Sequence, residues 1–158
     1  MPDDDVRFRV EQVPVGATVG LRNRVLRPGA TDSNAWLALD VVGSATFAAY
    51  EADRMPDPEP IATVTVQPEP CPWRPEAQTP WRLRGMATAD QWRGKGVGRC
   101  ALDVAIGYVA RQGAELLWCN SRVGAVAFYE RAGFVVEGDE FEVAGIGPHR
   151  PMARVLKA

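Results

Sequence analysis

Near the start of the chain, Val6, Phe8 and Val10 alternate with Arg7, Arg9 and Glu11, a period of two that predicts a strand with one wet face. Pro14 suits a first helical turn, and Val15 to Leu26 reads as a helix stopped by Arg27-Pro28-Gly29. Ser44 to Glu51 and Pro60 to Gln67 read as consecutive strands, joined by a polar, proline-rich hairpin loop over 52–59. Residues 68–80, PEPCPWRPEAQTP, carry five prolines and cannot hold regular structure. A long exposed excursion near a functional site is expected there. Trp81 to Thr88 alternates again, with Trp81, Leu83 and Gly85 opposing Arg82, Arg84 and Met86.

After a glycine-rich loop, Val97, Ala101, Val104, Ala105, Tyr108 and Val109 recur at helical spacing, and Gly113 supplies a left-handed stop. A short apolar strand from Glu115 to Asn120 follows. A second helix then carries Ala125, Phe128, Tyr129 and Ala132, with Gly133 at its end. Strands beginning at Phe134, Phe141 and Pro151 close the sheet. The order β-α-β-β-β-α-β-α-β-β predicts an α/β fold, a mixed sheet flanked by helices, with 1–158 as a single domain and no internal repeat.

Composition narrows the partners. The 158 residues are 46% hydrophobic and 24% charged, which excludes a disordered chain and a coiled coil. A net charge of −2 provides no global basic field for nucleic acid, so any anion site is local. Cys71, Cys100 and Cys119 are odd in number and lack metal-ligand spacing; reduced thiols and no metal are expected. The start, MPDDDVRFRV, is acidic and unlike a signal peptide, and no apolar run approaches the roughly 18 residues of a membrane span. A cytoplasmic protein with no membrane partner is expected.

The chemistry concentrates where Gly94, Gly96 and Gly98 surround Lys95, between Arg93 and Arg99, at the mouth of the longest helix. Such a loop bares main-chain amides towards an anion. A Walker-type phosphate loop needs a hydroxyl after Gly-Lys, but Gly96 follows Lys95 and no magnesium ligand is supplied. A dinucleotide fingerprint fits Gly94 and Gly96, yet its third glycine position is Arg99. Its expected acid, Glu115, would begin the next strand instead of ending it. A plain connecting turn would seldom need three glycines and three cations together.

Arg93-x-x-Gly96-x-Gly98 resembles the [QR]-x-x-G-x-[GA] loop of the GCN5-related N-acetyltransferases, the GNAT superfamily. NSRVGAVAFYERAGF, Asn120 to Phe134, resembles that family's second signature, an asparagine ending a strand and then a helix with FY and GF. The resemblance implies a mostly antiparallel sheet whose central strands splay apart. It also implies acetyl-CoA as the acyl donor, with its diphosphate on the amides of Arg93, Gly94, Lys95, Gly96, Val97, Gly98 and Arg99. Met86, Ala87 and Thr88 would pair with the pantetheine arm as an added strand, and one of their amides would polarise the thioester carbonyl.

In the implied reaction a neutral primary amine, of a small molecule or a protein, attacks directly in a ternary complex and the coenzyme A thiolate leaves. Thiols titrate near ~8.5 and tyrosine near ~10, so a positioned phenol can protonate the leaving sulfur. Tyr129 holds the family's tyrosine position; packing beside Phe128 is the other reading. Asn120 would bind the pantetheine or cap the following helix. Cys119 offers an acyl relay or a buried structural thiol. His149, the one histidine, is a candidate base just before the last strand, with Glu51, Glu69 and Glu142 unranked beside it. Arg84 facing the cleft would favour an acceptor bearing a carboxylate, but a register change of one residue exchanges it with Trp81. A non-catalytic acyl-CoA-binding or sensing domain is the alternative function. Dimers are common in the family, which makes a homodimer one of the expected states.

Overall fold

Of the computed structural model, residues 7–53 and 59–156 are described; Val6 and most of the hairpin loop expected over 52–59 lie outside them. The chain folds as two compact units. The first takes the chain up to Gln67 together with Arg84–Ala105, and the second takes Pro68–Leu83 and Ile106–Ala158.

In the first unit, β1 (Phe8–Gln12) pairs antiparallel with β2 (Ala45–Glu51), from Phe8 opposite Glu51 to Gln12 opposite Phe47. β2 in turn pairs antiparallel with β3 (Ala62–Pro68), with Thr46 opposite Thr65. Both inner strands are buried along nearly their whole length, so the strict alternation of a half-wet strand is absent from them. Their threonines are satisfied inside: the Thr63 hydroxyl donates to the Phe47 carbonyl at 2.8 Å, and the Thr46 and Thr65 hydroxyls are 2.7 Å apart.

The helix expected over Val15 to Leu26 divides. Val15–Thr18 winds as a 3-10 turn, and only Val19–Leu26 is α-helix, α1. The Thr18 hydroxyl donates back to the Val15 carbonyl at 2.8 Å, the local competition by which threonine tightens a turn. A one-turn helix, α2 (Asn34–Leu37), was not expected; the Asp32 carboxylate accepts from the Asn34 amide at 3.1 Å at its start.

In the second unit, β4 (Pro80–Thr88) begins, and Pro80, Trp81 and Arg82 pair parallel with Leu116, Leu117 and Trp118 of β5 (Leu116–Arg122). Its remaining residues, Arg84–Thr88, belong to the first unit. A 3-10 turn, Val123–Ala125, leads into α4 (Val126–Arg131). β6 (Val135–Val136), β7 (Phe141–Val143) and β8 (Gly147–Val155) follow, and β5, β6 and β7 all run antiparallel to β8. The eight strands have the order β1-β2-β3-β4-β5-β8-β6, with β7 on β8, so the sheet is mixed and mostly antiparallel as expected.

The 15-residue helix α3 (Val97–Arg111) ends where Gly113 adopts φ +86°. Val97, Ala101, Ala105 and Val109 are buried, but Val104 is 38% exposed and Leu102 and Ile106 take its place inside. The apolar stripe is therefore rotated from the expected one. The proline-rich excursion is largely exposed, as expected, but it is also anchored. Cys71 is buried with Leu116, Trp118 and Ala153, and Trp73 meets Trp118 edge-on at 5.2 Å between centroids. Beyond these contacts, the Trp73 indole donates to Glu137 at 2.8 Å and Arg74 makes a two-pronged ion pair with the same carboxylate. Proline excludes helix and ladder, but it leaves side chains free to pack.

Candidate active site

The loop lies entirely in the first unit. Asp90–Trp92 makes a 3-10 turn, and the chain then passes Gly94 at φ +77° and Gly96 at φ +90°, on either side of Lys95. An added Cβ at either glycine would meet nothing within 4 Å, so the left-handed backbone, and not crowding, requires glycine there. Gly98 differs: it is buried in the first turn of α3 and does not adopt positive φ. The Cys100 amide reaches back to the Gly96 carbonyl at 3.1 Å. The amides of Val97, Gly98 and Arg99 precede it in the first helical turn, where the helix supplies no acceptors. Preceded by two left-handed glycines and the exposed Lys95, this turn is the candidate anion-binding cradle, although Val97 and Gly98 are themselves buried.

The side chains contribute less charge than three cations suggest. Arg93 pairs with Asp90 at 3.3 Å and Arg99 with Asp103 at 2.9 Å, both on the surface. Both cations are thus largely offset locally, which leaves Lys95, the backbone donors and the helix dipole as the attraction for an anion.

Just upstream, Met86, Ala87 and Thr88 complete β4. Ala87 and Ala89 are buried with Leu21 of α1, with Val25, Leu26 and Trp92 packed around them. Gly85 takes φ +64° in mid-strand, which the sequence pattern did not disclose. Its carbonyl accepts from Arg22 Nε at 2.9 Å, and a Cβ at Gly85 would lie 2.8 Å from that nitrogen. Arg22 was missed from sequence. The available signals were a lone glycine inside a strand and a threonine one turn before the arginine. Arg84 is exposed, and its charge acts on Arg22.

In the second unit, Tyr129 is buried on α4, edge-on to Phe128 at 5.2 Å and Phe134 at 5.4 Å. Burial, and then the neighbouring Cys119, hold its phenol well above the usual tyrosine range, so it stays protonated. Of the two readings the sequence left open, the packing one is seen directly, and the phenol keeps its proton. Burial likewise pushes the Cys119 thiol up to about 12, which removes the thiolate an acyl relay would need.

Asn120 does not end its strand, since β5 continues to Arg122. It is no helix cap either: Arg122 precedes the 3-10 turn and Ala125 precedes α4. It stands opposite Pro151, whose carbonyl accepts from the Glu137 amide at 2.8 Å and so points away from β5. In an antiparallel pair the two residues turn their polar groups together, towards or away from one another. The Asn120 amide and carbonyl accordingly face the edge of β5 away from β8.

His149 lies inside β8 and not before it, opposite Arg122 and Phe141. It is buried, stacks on Phe141 at 5.8 Å, and its Nδ1 is 2.9 Å from the Gly147 carbonyl. A carbonyl only accepts, so Nδ1 carries the proton and the lone pair of the neutral ring is on Nε2. Trp81 and Trp118 are both buried, against Tyr108 and under Arg82 respectively, so neither presents an open aromatic face. Glu69 is paired with Arg82 at 3.1 Å.

The family model "Acetyltransferase (GNAT) domain" matches residues 75–156, just over half the chain. The chain belongs to the GNAT acetyltransferase family and is an acyltransferase enzyme; the family uses acetyl-CoA as co-substrate. It is 29% identical over 151 residues to the uncharacterised N-acetyltransferase YitI of Bacillus subtilis (strain 168), covering 95% of this chain and 97% of that one. Among solved structures it is similar to the ribosomal-protein-S18-alanine N-acetyltransferase of Escherichia coli, with TM-score 0.72, 15% identity and 96% of each chain covered. An acyl-CoA N-acyltransferase from Pseudomonas aeruginosa gives TM-score 0.69 at 19% identity, covering 96% of this chain and 100% of that one. A NatC complex bound to Gag peptide and CoA gives TM-score 0.72 at 14% identity, covering 94% and 98%. At these identities the structural likenesses show the fold alone. Among the described residues no helix is long and apolar enough to cross a membrane, and no cluster of His, Cys, Asp and Glu could hold a metal.

Proposed function

We propose that this chain transfers the acetyl group of acetyl-CoA to a primary amine, of a small molecule or a protein, by direct attack in a ternary complex. The observation that carries the reading is the cradle, in which Gly94 and Gly96 at positive φ lead the chain into the first turn of α3. On this reading the backbone of Arg93–Arg99 holds the diphosphate, with Lys95 adding charge. The residues fit that group: Arg93, Gly94, Lys95, Gly96 and Arg99 are exposed, and the two left-handed glycines carry no Cβ to stand in the way of the diphosphate.

Acetyl-CoA supplies a thioester whose acyl carbon accepts a nucleophile and whose sulfur departs. Met86, Ala87 and Thr88 offer strand amides to the pantetheine arm, and one of them polarises the acyl oxygen. Asn120 binds the same arm, supported by backbone groups turned away from β8. Tyr129, kept neutral by burial, gives its proton to the departing sulfur. Arg84 and His149 are assigned to the acceptor, His149 through the lone pair at Nε2. On this reading residues 1–158 act as a single domain.

Thiol release from acetyl-CoA, followed against a panel of primary amines, tests the reading. Amine-dependent release supports it. Saturable binding of acetyl-CoA without release for any amine overturns it in favour of a binding domain.

A further inference from the structure

Arg22 is fully buried, yet the acceptors around its guanidinium are neutral. Nη1 donates to the Thr18 hydroxyl at 2.9 Å, Nη2 to the Thr65 hydroxyl at 2.7 Å, and Nε to the Gly85 carbonyl at 2.9 Å. Each threonine is itself oriented. Thr18 spends its own proton on the Val15 carbonyl, so its lone pairs face the arginine. Thr65 stands 2.7 Å from Thr46 and, accepting from Arg22, has its proton left for that neighbour. The planar fork thus ties α1, the turn before it, β3 and β4 to one point.

A buried charge held by neutral acceptors, with the Trp36 ring 5.9 Å from its guanidinium carbon, is costly to keep, and an apolar residue of similar volume often stabilises a core as well. The three-point fork supplies a role that methionine could not fill. The carbonyl it grips belongs to the residue whose backbone is left-handed, φ +64°, in an otherwise extended strand. Such an irregularity decides which way the amides of the following residues point, and those residues are Met86, Ala87 and Thr88. Gly85 has no side chain because the guanidinium occupies that space, with Nε 2.8 Å from where a Cβ would be.

We infer that Arg22 is a positioning residue for acyl-carrier binding: through the Gly85 carbonyl it fixes the strand irregularity that aims the Met86–Thr88 backbone at the pantetheine arm. The inference rests on the proposed role of Met86–Thr88. Burial and the nearby Arg84 lower the Arg22 pKa to about 9, and among the described residues no carboxylate pairs with it.

The test compares two probes by calorimetry on the full chain: acetyl-CoA, and the nucleotide fragment of the carrier that ends at the diphosphate. In Arg22→Met, acetyl-CoA binding is expected to weaken about tenfold, the loss of a charge-assisted hydrogen bond, while the fragment binds as in wild type. Arg22→Lys keeps the charge but not the three-point fork, and is expected to fall between the two. A folded Arg22→Met that binds both probes like wild type overturns the inference; so does a parallel loss for both, which marks general structural damage. Should Arg22→Met not fold, Arg22→Lys and Gly85→Ala give the same comparison. Wild type failing to bind acetyl-CoA at all would instead sink the proposed function.

Discussion

Asn120 and Pro151 face each other across β5 and β8, and the proline carbonyl is engaged with the Glu137 amide on its far side. The pair leaves the Asn120 backbone groups turned from β8. Its side chain caps neither the 3-10 turn nor α4. Asn120→Ala is therefore expected to change stability by no more than about 0.5 kcal/mol. Its KM for acetyl-CoA should rise about fivefold if the amide binds the carrier. A fall in melting temperature with KM unchanged would return Asn120 to a structural role.

Tyr129 separates packing from chemistry in one substitution. Tyr129→Phe keeps the ring that meets Phe128 and Phe134 and removes only the hydroxyl. The variant should fold with near-wild-type melting temperature, keep its KM for acetyl-CoA and lose about a hundredfold in kcat. The phenol is held above 10, so its proton is present throughout the neutral and mildly alkaline range, and no fall in rate between pH 7 and 9 should trace to it. An unchanged kcat in the variant would leave Tyr129 as core.

The anchored excursion gives a pH prediction of opposite sign. Arg74 holds the Glu137 carboxyl below its ordinary value, with Trp73 assisting and partial burial opposing. A carboxylate depressed on folding stabilises above its unfolded value near ~4.5 and loses that contribution as pH falls through the folded one. Wild type should therefore lose melting temperature on acidification faster than Glu137→Gln, with the two converging at the acid end. Trp73 lies on Trp118 and donates to Glu137, so intrinsic fluorescence should report the release. Parallel curves for the two proteins would contradict the clamp.

Much of this was legible because period and punctuation are local. Gly113 and Gly133 adopt φ +86° and +92° where helices were expected to stop, and the cradle glycines fell where a helix was expected to start. What the sequence did not disclose is tertiary. Val104 and Leu102 exchange places because a helix's buried stripe is chosen by what packs on it. Cys71 and Trp73 are drawn in by Trp118, a partner more than 40 positions distant. Arg22 looks like any polar helix residue until Gly85 and Thr65 are seen around it. The offset of Arg93 and Arg99 by Asp90 and Asp103 is the exception, since both pairs stand at helical spacings that could have been read.

Backbone mapping of the cradle tests the central claim most directly. Titration of labelled wild type with acetyl-CoA should move the amide resonances of residues 94–99 first and furthest. In Gly96→Ala those shifts should be lost, at a stability cost of only about 1 kcal/mol for a left-handed alanine with open space around its Cβ. Resonances 94–99 that stay fixed while saturating acetyl-CoA moves others, or no binding at millimolar concentration, would contradict the account.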